Sequence, residues 1–549
     1  MVNGRTGGGG SGGSGRSRRS GRERSTIDES FLKRRATRRR AFAITVMAVW
    51  AGVLAWHVKR EYFRPFSVRL AEASADLSPA TSYYTIRLGD SPIGYAASRI
   101  DTTSDGFTLD DDMRLRVTAL GHDVRATART TVRLGDRLNL KGFVFTLQSD
   151  LGEFRVEGTM GADSVLDLTI VAGGDEQRMA MPTGGPILLP QVMPLHLVLG
   201  GEPKPGASYA FEVFDPSTLD RRRVTAEVIE RATLIYPDSA DYDKDAGKWV
   251  PLRYDTVETW HIRQRFGGVE IDSWLDPDGQ IVRASSPLGY TIERTAFEIA
   301  WNDYRALDRV DRQAGVSVPD IIEGTAISVG VELPRGAQLR RLAVRLLNVD
   351  LAGFDLHGAR QQLRGDTLFV EGGMSGTKPD YQLPADPSEW ERALASTPLV
   401  QSDDAEIKRR ANEIASGSND PVIVAERLAN WVYRSLDKEI TLSVPSAVQV
   451  LKLRRGDCNE HTVLYVALAR AAGLPARTAA GLVHVRGRFY FHAWPEVWLG
   501  EWVPVDPTLG QFPADASHLR FVTGGLARQV ELVRLIGLLE LDILAAEES

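Results

Sequence analysis

Cys458 is the single cysteine of a 549-residue chain, and it stands in the run Gly456-Asp457-Cys458-Asn459-Glu460-His461 ahead of an apolar, helix-periodic stretch. His492 follows 34 residues later in Phe491-His492-Ala493-Trp494-Pro495-Glu496-Val497, and Asp506 another 14 residues on in Trp502-Val503-Pro504-Val505-Asp506-Pro507-Thr508. A thiol, an imidazole and a carboxylate in that chain order can act as nucleophile, base and orienting group. A helix start suits the thiol. Unpaired N–H groups and the helix dipole favour negative charge there, so the proton leaves more readily and an oxyanion can be held. The Cys458 N–H is the first candidate donor for that oxyanion, with Trp431, Tyr433 and Gln449 as further candidates.

Each residue alone reads more blandly. A lone cysteine is most often a small, inert core group, and a carboxylate before Pro-Thr is most often a turn former. The conjunction of helix-start thiol, strand histidine and nearby acid is what favours catalysis. His461, one turn past Cys458, is a rival base. A helical side chain leans back over the preceding turn, so a structural role is expected for it. Asp457 and Glu460 are expected to serve the helix start.

The elements that would position these groups can be read around them. Ala405 to Ala415 is helix-periodic. Asn419-Asp420-Pro421 signals a helix start, and that helix should run to about Leu436 with Val424, Leu428, Trp431 and Val432 inward. Ser446 is expected to cap a short helix from Ala447 to Lys452. The Cys458 helix should end near Ala472, before Gly473 and Pro475. Strands are expected over Ala476–Val485, Arg488–Leu499 and Glu501–Val505, with turns at Arg486-Gly487 and Gly500. A hairpin centred on Gly500 pairs residues whose numbers sum to about 1000, which puts Asp506 on the face of His492. A two-residue Gly500-Glu501 turn would put it on the opposite face.

Upstream, residues 78–315 show the period-two alternation of an antiparallel β-rich domain, in short strands separated by turns. The acidic run Asp238 to Asp245 lacks the Gly and Glu positions of an EF-hand loop and is expected to be a solvated hairpin tip. Residues 320–378 read as a small β-rich unit, and 513–549 as a helix followed by a possible final strand.

The formal charge of −6 conceals an asymmetry. Residues 1–40 hold 12 Lys+Arg and 3 Asp+Glu, a net of +9, which leaves −15 for the remainder. This Gly/Ser/Arg-rich arm is too poor in apolar groups to order itself. Ala41 to Val58 then runs 18 residues without a charge, enough to cross a hydrocarbon core of roughly 30 Å. The basic cluster before it predicts a cytoplasmic N-terminus and a translocated body, hence a single-pass inner-membrane protein. A cleaved signal peptide is the main rival, but its nearest small-residue pattern, Ala71 to Ala75, comes late. No nucleic acid is expected as a partner. One cysteine excludes an intrachain disulfide framework and a multi-cysteine zinc site.

The combined motif, Gly-Asp-Cys-Asn-Glu-His, then Ala-Arg-Ala-Ala-Gly-Leu-Pro-Ala-Arg at 469–477, Phe-His-Ala-Trp-Pro-Glu-Val-Trp and Trp-Val-Pro-Val-Asp-Pro-Thr, resembles the transglutaminase-like superfamily. The resemblance covers residues 400–512. It implies an α+β, papain-related domain at the C-terminus, behind the antiparallel β-rich domains and a single N-terminal transmembrane helix. It also implies Cys458 as nucleophile, His492 as base and acid, and Asp506 as its orienting partner, without a metal or other cofactor. The expected activity is thiol acyl transfer on amide bonds of protein or peptide substrates, with hydrolysis favoured over transamidation. The alternative is a bacterial envelope binding or assembly module whose site is not used. The calcium activation of animal cross-linking relatives is not carried over.

Overall fold

Alternating apolar and charged side chains drive the first half of the chain into one sheet. Val165–Ala172 is typical: Leu166, Leu168, Ile170 and Ala172 are buried while Asp167 is exposed between them. The computed structural model describes residues 66–548 apart from 311–319, 332, 334–338, 375, 377 and 378. Among the described residues this sheet has 14 antiparallel strands, from Ala80–Leu88 to Tyr290–Thr295. Eight strands meander outward to Asp175–Pro182, and six more return from Ser208–Asp215. The chain's first and last strands of the sheet pair with each other at its middle. One face buries Val132, Phe143, Val156 and Phe214, covered by the helices Phe66–Ser74 and Met193–Leu199. Each such side chain contributes roughly 1.5–3 kcal/mol through its removal from water. The acidic run forms the tip of the long hairpin Asp220–Asp243 with Lys248–Phe266, where the Asp243 carboxylate accepts the N–H groups of Asp245 and Ala246.

The apolar run 41–58 and the basic arm lie outside the described residues. Among the described residues no helix is long and apolar enough to cross a membrane.

The second half is α+β. Helices Ala405–Ala415, Pro421–Ser435 and Ala447–Leu453 surround the central helix Cys458–Ala471. That helix packs on a sheet ordered Ile327–Ser328, Arg488–Trp498, Ala476–Val485, His518–Thr523, with Trp502–Pro504 added to Arg488–Trp498. Asp420 caps its helix by accepting the Val422 and Ile423 N–H groups. Ser446 stands at the expected N-cap but makes no capping bond; its hydroxyl accepts from the Gln401 side chain instead. Val424, Leu428 and Val432 are buried as expected. Trp431 is only partly buried and lies beneath the guanidinium groups of Arg410 and Arg454.

Residues of the stretch 320–378 share a core with this sheet. Leu339–Leu347 pairs with Thr367–Glu371 on one side and with the C-terminal strand Glu540–Glu548 on the other. Val344 and Leu368 pack in one cluster with Leu482, Phe489 and Phe521. The helix read from Leu526 is a short α turn, Leu526–Gln529, continued as the 3-10 helix Val530–Leu535. The two halves dock through Gln449, whose side-chain amide donates to the Leu151 carbonyl at 2.7 Å, and through Lys452 with Asp175 at 3.0 Å.

Candidate active site

The chain enters the Cys458 helix through Gly456, whose φ of 150° lies where side chains are disfavoured. Asp457 then forms a capping box. Its carboxylate accepts the Asn459 N–H at 2.8 Å, and Glu460 reaches back to the Asp457 N–H at 2.9 Å. The other Glu460 oxygen accepts the hydroxyls of Thr441 at 3.2 Å and Ser443 at 2.5 Å. Both acids therefore serve the helix start, as read from the sequence. A Cβ on Gly456 would stand 2.4 Å from Cβ and Cγ of Glu460. Gly456→Ala should thus destabilise the fold by about 1–3 kcal/mol through overpacking and backbone strain. Urea unfolding measures this, and an unchanged midpoint would contradict it.

Cys458 occupies the first helical position and is part-buried. Its N–H has no acceptor within its own helix. The sulfur lies against the backbone N–H of Ala493, the neighbour of His492, which favours a thiolate. The net direction is nonetheless upward: burial, and then the Asp457 carboxyl, push the thiol above its ordinary value. This corrects the expectation of a thiol made acidic by the helix start. Desolvation and neighbouring carboxyls outweigh the dipole. Burial, and then the Glu460 carboxyl, also raise Asp457.

His492 lies mid-strand, opposite Gly481. The next hairpin has the Gly500-centred register, with Glu496 opposite Pro504 and Trp498 opposite Trp502, but its ladder stops at Pro504. Asp506 begins a tight turn closed on Gln511. Its Oδ1 accepts the N–H groups of Thr508 at 2.8 Å and Leu509 at 2.9 Å. Its Oδ2 meets His492 Nε2 at 2.8 Å. Of the three residues singled out in the sequence, His492 and Asp506 are thus directly bonded, and Cys458 abuts the residue after His492.

The same Oδ2 also meets Nε2 of His518, at 3.0 Å. Burial opposes ionisation of Asp506, but the two imidazoles and their hydrogen bonds hold its carboxyl well below the usual range. The three side chains are close enough to admit a cation, yet their nearest atoms are already bonded to one another. Burial lowers His518, but hydrogen bonds to Asp506 and Asp515 overcome it and raise the group to about 9. A folded-state value above the unfolded value of about 6.5 gives stability that is fully present below about pH 6.5 and lost as pH rises through about 9. His518→Gln should remove that alkaline loss from the unfolding free energy measured across this window. An identical loss in the variant would contradict this assignment.

The remaining candidates separate clearly. His461 Nδ1 donates to the Asp457 carbonyl at 2.7 Å, and burial lowers the ring's basicity, so it is a helix-start residue. The Gln449 amide is engaged by Leu151, which removes it as an oxyanion donor, and Trp431 lies beneath two guanidinium groups. Tyr433 is 38% exposed, with the Lys438 ammonium 4.2 Å from its ring centroid. Sequence reading missed His518. Its only signal is a polar residue opening the apolar run Leu519-Arg520-Phe521-Val522. It also missed Trp494, whose ring stacks on His492 and meets His518 edge-on.

Residues 408–507 match the family model of the transglutaminase-like superfamily. An uncharacterized protein of Haemophilus influenzae is 28% identical over 121 residues, 21% of this chain and 32% of that protein. The chain therefore matches about a third of the length of this curated relative. Two solved structures are similar to this chain. A "putative cysteine protease" from Cytophaga hutchinsonii is 16% identical, covering 39% of this chain and 84% of that one with a TM-score of 0.25. The periplasmic domain of TgpA from Pseudomonas aeruginosa, bound to ethylmercury, is 17% identical, covering 36% and 88% with a TM-score of 0.22. The C-terminal half contains a transglutaminase-like domain.

Proposed function

We propose that this transglutaminase-like domain is a thiol acyl-transfer enzyme acting on amide bonds of proteins or peptides, held at the inner membrane by residues 41–58 with its body outside the cytoplasm. The observation that carries the reading is the bond from His492 Nε2 to the buried Asp506 carboxylate, with the part-buried thiol at a helix start lying against the backbone N–H of the next residue, Ala493. Asp506 fixes which ring nitrogen carries the proton. Nδ1, the nitrogen it leaves open, is the base. Because burial and the Asp457 carboxyl push the thiol up, attack and proton removal are coupled. As sulfur bonds to the amide carbon, His492 takes the thiol proton and the Cys458 N–H meets the oxyanion. Collapse breaks the C–N bond, and His492 returns the proton to the leaving amine, giving a thioester. Water, deprotonated by His492, then releases the acid and the thiol. An amine acceptor would instead give a new amide. Water is favoured because it is always present and no amine site marks the chain.

Mass spectrometry of an envelope extract treated with the full-length chain tests this. Cleaved peptides that are absent with Cys458→Ala are the expected result, new isopeptide links would reassign the acceptor, and neither product would reject the reading. The upward push on the thiol favours a second reading, an envelope binding module with an unused site. Under that reading, Cys458→Ala rescues a deletion phenotype fully.

A further inference from the structure

We propose that His518 is a positioning residue: as a second imidazole on the same oxygen of Asp506, it locks the His492–Asp506 pair and offsets the negative charge that pair presents to Cys458. The inference rests on the thiol-enzyme reading above.

Asp506 has four partners and no spare acceptor direction. Thr508 and Leu509 hold Oδ1 through backbone N–H groups, while His492 and His518 share Oδ2. Removing His518 would leave His492 bonded to a carboxylate tethered on one side only. His518 is itself fixed from behind. Its Nδ1 stands 3.4 Å from Asp515 Oδ1 and 3.3 Å from the Asp515 carbonyl. Asp515 is held in turn by its bonds with Ser517 and with the Gln511 side chain. Trp494 stacks on His492, with centroids 6.1 Å apart, and meets His518 edge-on at 5.1 Å, so one indole braces both imidazoles.

The charges around His518 point the same way. From the turn before its strand come Asp506 and Asp515. From the strand Arg488–Trp498 come His492 and Glu496, the latter already paired with Arg520 and Arg477. The adjoining strand Ala476–Val485 carries His484, which senses Asp515. Two buried carboxyls therefore converge on one imidazole, and the ring is a cation at neutral pH. That cation acts on the thiol through Asp506. Cys458 already experiences the carboxyls of Asp457, Glu460 and Asp506, each of which disfavours a thiolate. Without His518, the charge on Asp506 would act undiminished.

The test is the rate at which iodoacetamide alkylates Cys458 in the full chain, followed by intact mass from about pH 5 to about pH 9. His518→Gln retains an N–H donor to Asp506 without the charge, and His518→Phe removes both. The glutamine variant should react about tenfold more slowly at neutral pH, with its profile displaced upward by about one pH unit. The phenylalanine variant should be slower still. Folded variants whose rates and profiles coincide with wild type would overturn the inference. If the phenylalanine variant does not fold, the glutamine variant decides, together with nitrogen-15 NMR of the wild-type His518 ring. Both ring nitrogens should be protonated at neutral pH, and a neutral ring would overturn the proposal. Wild-type protein that reacts no faster than a free cysteine peptide would overturn the enzyme reading and this inference together. A fast wild type with unmoved variants would overturn this inference alone.

Discussion

Cys458→Ala should abolish amide turnover, by on the order of 10⁶-fold, the size of loss seen when the nucleophile of a triad is removed. The loss is that large because no second thiol can replace it. It is the chain's single thiol. The hydroxyls of Thr441 and Ser443 are bonded to Glu460 at the helix start. Stability should change by only about 1 kcal/mol, since one part-buried sulfur is lost and the capping box remains. Turnover of the peptides identified in the extract, measured beside thermal melting, separates the two effects. A variant that melts normally and still cleaves would remove Cys458 from the chemistry.

Asp506→Asn should lower turnover by about 10⁴-fold and also destabilise the fold. The turn fixes how asparagine can sit. The N–H groups of Thr508 and Leu509 need an acceptor, so the amide oxygen takes the place of Oδ1. The NH₂ group then faces Nε2 of both His492 and His518. To accept from it, His492 must carry its proton on Nδ1, the nitrogen required as base. The tautomer is inverted without a change of shape. His518 loses one of its two carboxylate partners, and breaking a buried ion pair costs about 3–5 kcal/mol. Thermal melting and turnover should therefore both fall. A normal rate with a lowered melting temperature would leave Asp506 a purely structural acid.

The parts of this account written in local sequence were legible there. Asp420-Pro421 starts a helix by capping chemistry, Asp457 and Glu460 form their box at the spacing such a box requires, and Arg486-Gly487 makes a tight turn between two paired strands. Counting left two registers open for the next hairpin, and the Gly500-centred one is present up to Pro504. What escaped depends on contacts that no local pattern carries. His518 reaches Asp506 only because its strand pairs with Ala476–Val485, on the side away from Arg488–Trp498. Gln449 could be excluded as an oxyanion donor only once Leu151, 298 residues earlier, was seen to accept its amide. The direction of the thiol's shift reversed for the same reason. The helix start is visible in sequence, but the burial and the carboxyls that outweigh it are tertiary. The union of Leu339–Leu347 with Glu540–Glu548 likewise joins segments nearly two hundred residues apart.

The most direct test of the central claim is the rate of Cys458 modification by an electrophilic probe at neutral pH, compared between wild type, His492→Ala and an unstructured cysteine peptide. The account predicts that wild type outpaces the peptide and that the alanine variant loses the advantage, because a protonated sulfur beside an imidazole reacts quickly only when that imidazole takes its proton. Equal rates for all three would contradict it.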